Sequence, residues 1–326
     1  IAYLALELGP GDWLWTSPNT FVASASCALF CGASVDFVDI DALTYNMDAD
    51  ALAAKLKRAE TEGRLPKIVV PVHFAGQSCD MRRIRALGER YGFRIVEDAA
   101  HAIGGRYEDA PIGDCRYSDI AVFSFHPVKI ITTGEGGAAL TNDGELAERM
   151  ARLRSHGTTR DPSRMEGKSD GAWYYQMIEL GWNYRMTDIQ AALGWSQTQR
   201  LDLQVRRRAA LAARYDRLLA NSGLKLPRQD PACASAWHLY VVGWNEEAFG
   251  LSRREAFDRL RAAGIGVNVH YIPVHTQPYF RRLGFQAGQY PTAEAYYATA
   301  LSLPLYAGMT EAQQDRVIDE LRRLGV

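Results

Sequence analysis

The sequence predicts an α/β fold: a mostly parallel sheet with helices on both faces, followed by a smaller α+β domain at the C-terminal end. Short apolar runs alternate with capped helical stretches as far as about residue 205, and such alternation returns the chain to start each new parallel strand. Within this region the stretch from Phe93 to Leu140 places an acid, a lysine and a glycine-rich turn around three apolar runs. A carboxylate at the end of a buried run is what a parallel strand shows where its carboxyl end opens into a site.

In chain order, Ile1-Ala2-Tyr3-Leu4-Ala5-Leu6 reads as the end of an apolar helix, without a methionine, so an N-terminal part of the site is expected upstream. Gly9-Pro10-Gly11-Asp12 marks a turn before a strand at Trp13–Thr16, and a helix is expected from Thr20 to Cys31 with Phe21 at its start. Val35–Ile40 reads as a strand, Asp48 as the cap of a helix through Arg58, Lys67–His73 as a strand, and Asp80 as the cap of a helix ending near Gly92.

Phe93–Asp98, Ile120–Phe125 and Ala138–Thr141 then read as three buried strands. Pro127 cannot continue a ladder, so the second run turns there and presents Lys129; Gly134, Gly136 and Gly137 turn the chain into the third. Asp143 fits the cap of a helix to Arg154. From His156 to Tyr175 the chain is polar and punctuated by glycine, a long loop expected to face a substrate or partner. Thr187 with Gln190 starts a long helical region toward Asn221, inside which the domains change. Residues 1–205 form the large domain and 206–326 the small one, with strands at Trp237–Trp244 and Ile265–His270 and helices capped by Ser252 and Thr310.

Composition narrows the function classes. Lys plus Arg number 37 against 38 Asp plus Glu, so no basic field invites nucleic acid or an anionic membrane, and Arg206-Arg207-Arg208 reads as a solvated helix face. No apolar run approaches the roughly 18 residues of a membrane span. Five cysteines lack zinc or redox spacing and read as reduced thiols of a cytoplasmic protein; no metal site is expected. No strand is followed by G-x-G-x-x-G, which weighs against a dinucleotide fold.

An acid and a lysine at neighbouring strand ends suit pyridoxal phosphate chemistry. The lysine amine condenses with the cofactor aldehyde, and the carboxylate keeps the pyridine nitrogen protonated so that the ring withdraws electrons. Asp98 and Lys129 fit those roles. Here Glu97-Asp98-Ala99-Ala100-His101-Ala102, Ser124-Phe125-His126-Pro127-Val128-Lys129, Gly134-Glu135-Gly136-Gly137, Gly181-Trp182-Asn183-Tyr184-Arg185-Met186-Thr187 and Val269-His270-Tyr271-Ile272-Pro273 together resemble the DegT/DnrJ/StrS sugar aminotransferases. The resemblance covers nearly the whole chain in order.

That resemblance implies a fold-type I pyridoxal phosphate transferase. It implies Lys129 and Asp98 as catalytic, with His101, Ser124, Phe21 and Asn183 also holding the cofactor, Asn183 across a homodimer interface. Arg185, in the same segment as Asn183, reads as the partner of a nearby carboxylate. Lysine rather than histidine at 129 favours transamination over the related dehydratases. His270 and Tyr271 match the segment lining the sugar pocket, and the bases Arg160 and Arg164 of the polar loop are the candidates for a sugar-linked diphosphate. The amino donor would be L-glutamate, leaving as 2-oxoglutarate, and the acceptor a UDP-linked 4-keto sugar, closest to the branch serving pseudaminic acid. Another nucleotide-linked keto sugar, and a non-catalytic regulatory protein on the same fold, are the alternatives.

Overall fold

The structure, a computed structural model, describes residues 1–326. Six strands form the main sheet in the spatial order Ser34–Phe37, Trp13–Thr16, Ile68–Val70, Arg94–Asp98, Ile120–Ser124, Gly137–Leu140. The first five run parallel and the last is antiparallel to its neighbour. The central run Ile68-Val69-Val70 is apolar at every position and buried throughout, as a parallel strand covered on both faces requires.

The helices start where polar caps were expected. Asp48, Asp80 and Asp143 each accept backbone N–H bonds at the starts of Ala49–Glu62, Met81–Tyr91 and Gly144–Leu153, satisfying donors that have no partner in the first turn. Thr187, Ser252 and Thr310 each form a full capping box. Asp39, just beyond the strand Ser34–Phe37, does the same at long range: its carboxylate accepts from Thr292 and Ala293 N–H, both at 3.0 Å, and ties the start of Pro291–Thr299 to the sheet.

Three large cores are present; one packs Leu52, Leu56, Met81 and Ile84 with Trp15, Val69 and Ile95, and the other two bear on the site. The first of these two gathers Leu14, Phe37, Val70, Val96 and Ile120 from the sheet with Ala25, Ala28 and Met150 from covering helices. The second gathers Leu211, Tyr215, Tyr240, Leu260, Leu301 and Ile318 around the antiparallel pair Tyr240–Gly243 and Ala300–Leu303. Val274 and Phe280 belong to the first core, so the chain crosses back to the sheet after residue 270 and returns by Pro291–Thr299.

Four expectations are corrected. The run at 138–141 is an edge strand, Gly137–Leu140, with Gly137, Ala139 and Leu140 exposed, because it has a neighbour on one side only. Ile265–His270 is not a strand: Val267 N–H turns back onto the Ile265 carbonyl at 2.9 Å, and only Asn268 bridges to Ser302. The long helical region is two helices, Asp188–Thr198 and Leu201–Leu219, broken at Gln199-Arg200. Arg208, unlike the exposed Arg206 and Arg207, is 5% exposed; one guanidinium nitrogen, Nη1, donates to the carbonyls of Trp237, His238 and Leu305 at 3.1, 3.2 and 3.0 Å. Burial without a carboxylate partner lowers its pKa to about 10. The loop after His156 contains a two-stranded pairing, Thr158–Thr159 with Gln176–Met177, that holds its ends together.

Candidate active site

A cleft of about 1880 Å³ opens at the carboxyl ends of the parallel strands. Its walls come from the strand ends, the start of the helix Ala23–Phe30, the turn after Ser124 and segments of the second core near residues 270 and 303. Asp98, Lys129, His101, Ser124, Phe21, His270 and Tyr271 all line it. This is where an open α/β sheet places a ligand.

Asp98 ends its strand with both carboxylate oxygens engaged. Ala100 N–H donates to Oδ1 at 3.1 Å and the Ser24 hydroxyl to Oδ2 at 2.5 Å. The preceding residue, Glu97, is bound elsewhere, by His73 Nε2 at 2.7 Å and by the Ser118 hydroxyl. Cys79 N–H donates to His73 Nδ1 at 3.1 Å, so the ring proton sits on Nε2 and points at Glu97. Of the two adjacent carboxylates, Asp98 is the one whose bonds come from the cleft wall itself.

Lys129 lies on the turn that Pro127 begins, where its N–H donates to the His126 carbonyl at 2.9 Å. Gly136 makes the return possible: its φ is 158°, and a Cβ there would lie 2.2 Å from Thr133 Oγ1 and 2.8 Å from Met186 Cε. Burial pulls the Lys129 amine below its ordinary pKa, and the Asp98 charge opposes that pull. A lysine so placed gives up its proton more readily than a surface one, which suits a base. Ser124 Oγ receives only a 3.4 Å contact from His126 N–H, leaving its hydroxyl proton for a ligand.

His101 is buried, with Nε2 3.0 Å from the Tyr271 hydroxyl and Nδ1 without a partner. His238 packs against it at 4.4 Å between ring centroids. Burial and the neighbouring charges of Lys129 and other basic groups push His101 and His238 well below the ordinary imidazole value, and His270 down to about 4. All three rings are therefore neutral at physiological pH. His270 Nδ1 is 2.8 Å from Ser302 Oγ, and Tyr296 donates to the His270 carbonyl at 2.6 Å. Phe21 is 60% exposed, with its ring 6.5 Å from that of Tyr271, an aromatic face turned into the cleft.

Three of the expected residues stand apart. Asn183 is exposed and bridges to Ser155 beside the cleft rather than within it. Arg160 and Arg164 do not line the cleft of this chain, and Arg164 is engaged by Glu148 and Asp161. The arginines that do line it are Arg154 and Arg185, both exposed and in no ion pair; the carboxylate partner expected for Arg185 is not present. Sequence reasoning missed Ser24, Thr20, His238 and Arg154. Ser24 and Ser26 both interrupt the apolar run of the helix Ala23–Phe30, and nothing local marks Ser24 as the one that meets Asp98.

The donor set fits pyridoxal phosphate. It combines a carboxylate held at a strand end, a half-buried lysine facing the same space, an aromatic face, an unpartnered imidazole nitrogen and a free hydroxyl.

Comparison with known proteins agrees. The pattern of the DegT/DnrJ/EryC1/StrS aminotransferase family matches residues 1–322. The spore coat polysaccharide biosynthesis protein SpsC of Bacillus subtilis is 40% identical over 325 residues, 99% of this chain and 81% of SpsC. Spr1654 from Streptococcus pneumoniae in its PLP form superposes with a TM-score of 0.85 at 31% identity, covering 99% of this chain and 83% of that one. Helicobacter pylori PseC, an aminotransferase involved in the biosynthesis of pseudoaminic acid, superposes with a TM-score of 0.87 at 27% identity, covering 99% and 84%. The chain belongs to the DegT/DnrJ/EryC1/StrS aminotransferase family.

Proposed function

We propose that this family member takes an amino group from L-glutamate and delivers it to the 4-keto group of a UDP-linked 4-keto-6-deoxy-N-acetylhexosamine. The product is UDP-4-amino-4,6-dideoxy-N-acetyl-beta-L-altrosamine, on the route to pseudaminic acid. The observation that carries the reading is the convergence of Asp98 and Lys129 on one cleft at the sheet's carboxyl edge, in a chain of an aminotransferase family. Pyridoxal phosphate is the cofactor; when bound it supplies an aldehyde that carries the amino group between substrates and a ring that withdraws electrons from the reacting carbon.

The chain's own groups divide the work. Lys129 anchors the cofactor and, released by substrate, moves the proton at the substrate carbon; its depressed basicity suits both directions. Asp98 would pair with the pyridine nitrogen, Phe21 and His101 would hold the ring, and Ser124 would donate to the phosphate. His270 and Tyr271 border the sugar. Arg154 and Arg185, unpaired on the cleft wall, supply charge for the diphosphate in place of Arg160 and Arg164, since a near-neutral chain must recognise a dianion through local donors.

A homodimer completes the site. The helix Asp188–Thr198 has no buried residue, and Ile189 and Trp195 are 85% and 72% exposed next to the cleft-lining segment 184–186. Apolar side chains grouped in this way mark an interface. Asn183, exposed and close to them in sequence, would serve the partner's cofactor. The five unpaired cysteines support a reducing, cytoplasmic setting.

A second reading, amination of another nucleotide-linked keto sugar for a cell-surface polysaccharide, draws on the higher identity with SpsC, 40% against 27% with PseC. The test is a screen of nucleotide-linked 3- and 4-keto sugars with glutamate as donor, read by mass spectrometry of the aminated product. Turnover of the UDP-linked 4-keto-N-acetylhexosamine supports the first reading. Turnover confined to another keto sugar supports the second, and none on any keto sugar overturns both.

A further inference from the structure

Beyond the residues already placed at the cofactor, the helix Ala23–Phe30 and the turn leading into it carry two hydroxyls that the proposed roles leave unused. Ser24 Oγ is 2.5 Å from Asp98 Oδ2, and Thr20 Oγ1 is 2.9 Å from Ser24 Oγ. Both residues are nearly inaccessible, Thr20 at 1% and Ser24 at 6%, so water does not substitute for either bond. The direction of the chain follows from donor counting. An ionised carboxylate only accepts, so the single Ser24 proton is committed to Asp98, and the Thr20–Ser24 contact must then have Thr20 as donor. The backbone of Ser24 is fixed as well, its carbonyl accepting from the Tyr3 hydroxyl at 2.9 Å.

We propose that Ser24, supported by Thr20, is a positioning residue that fixes the Asp98 carboxylate for the pyridine nitrogen. This rests on the reading of Asp98 as that nitrogen's partner. Ala100 N–H holds Oδ1 from the strand end and Ser24 holds Oδ2 from the helix, so the carboxylate plane is set by two separate elements. Two oxygens offer about four lone-pair sites, and these donors occupy two, leaving acceptor capacity for the ring N–H. Without Ser24 the carboxylate is held at one oxygen and free to turn about its terminal bond. Hydrogen bonds to charged groups in low-dielectric surroundings are among the stronger ones, so the loss should be measurable.

The test compares the full-length wild type with Ser24→Ala, Thr20→Val, Asp98→Asn and the double variant Asp98→Asn/Ser24→Ala. Affinity for pyridoxal phosphate is read by absorbance titration, alongside kcat. Ser24→Ala should weaken cofactor affinity about tenfold and lower kcat by a similar factor, with Thr20→Val falling between it and wild type. On the Asp98→Asn background the same change should add less than about twofold, because a residue acting through Asp98 has nothing further to act on. An equal loss on both backgrounds would make Ser24 a packing residue and overturn the proposal, as would wild-type affinity for Ser24→Ala beside a defective Asp98→Asn. If Asp98→Asn itself matches wild type, the reading of Asp98 falls first and takes this one with it.

Discussion

The two walls of the cleft are built to different degrees. On the sheet side, Asp98 and His101 are held by groups from the same chain, through Ser24, Ala100 and Tyr271. On the opposite side, the turn carrying Lys129 leads to an exposed edge strand, Asn183 has no side-chain partner, and Ile189 and Trp195 face outward from a helix with no buried residue. Apart from His101 Nδ1, the polar groups of the first wall are satisfied as in a protein interior. The second has the apolar surface of an interior without the cover. The difference says that the acid is oriented within one chain, and it supports the proposal that a second copy finishes the lysine side.

The comparison breaks most visibly at Lys129. Lys129→Ala should lower turnover by about ten-thousand-fold and remove the yellow colour of lysine-bound cofactor, while the unfolding free energy moves by under about 0.5 kcal/mol, since the residue sits on a turn. Steady-state assays and a denaturant titration check the two halves. Substantial turnover in the variant would end the assignment of the lysine.

Mixing subunits asks whether the open wall is shared. Asn183→Ala alone should weaken cofactor retention about tenfold. A hybrid of Lys129→Ala and Asn183→Ala subunits then has one site carrying both lesions and one carrying neither, so activity should return in purified hybrids. No recovery in verified hybrids places Asn183 in its own subunit's business.

Acid should sharpen the contrast from the other side. His101, His238 and His270 take up protons far less readily when folded than when unfolded, so their contribution to stability is present above the ordinary value of 6.5 and is lost as pH falls toward about 4. Each proton taken up preferentially by the unfolded chain contributes about 1.4 kcal/mol per pH unit of slope. Denaturant unfolding at a series of pH values should steepen between those limits, and replacing His238 by Gln should make the slope shallower. A flat profile would mean that the folded chain takes up these protons as readily as the unfolded one.

The smallest effect concerns the rim. Arg160→Ala/Arg164→Ala should change the Michaelis constant for the UDP-sugar by less than about threefold, whereas Arg154→Ala/Arg185→Ala should raise it about tenfold or more. The glutamate half-reaction of the first pair should stay as in wild type. The reverse ranking would return the diphosphate to the polar loop.

Much of the fold was legible because its signals are local. Asp48, Asp80, Asp143, Thr187, Ser252 and Thr310 all cap as read, since a cap needs only neighbours three residues away. Asp98 and Lys129 share the cleft because strand order brings adjacent carboxyl ends together. What escaped depends on distance along the chain. Arg208 sits in a run of arginines that looks like a solvated face, and only the fold reveals three carbonyls waiting for it. The Ala300–Leu303 strand went unnoticed although buried throughout, since its partner Tyr240–Gly243 lies far back along the chain and the apolar run before it belongs to a helix. The placement of Arg160 and Arg164 was likewise a matter of where a loop lands, which composition does not encode.

Arg208 also bears on the order in which the molecule can be assembled. Its three carbonyls belong to two stretches of chain, Trp237-His238 and Leu305, and both His238 and Leu305 reach the cleft wall. Trp237 sits there with φ of 50°, a conformation that a bulky residue does not hold unaided. The wall therefore cannot acquire its final shape before the helix Leu201–Leu219 docks and brings the guanidinium with it. A chain ending short of that helix would still carry Asp98, Lys129 and the sheet side of the cleft, but not the wall that His238, His270, Tyr271 and Leu305 supply.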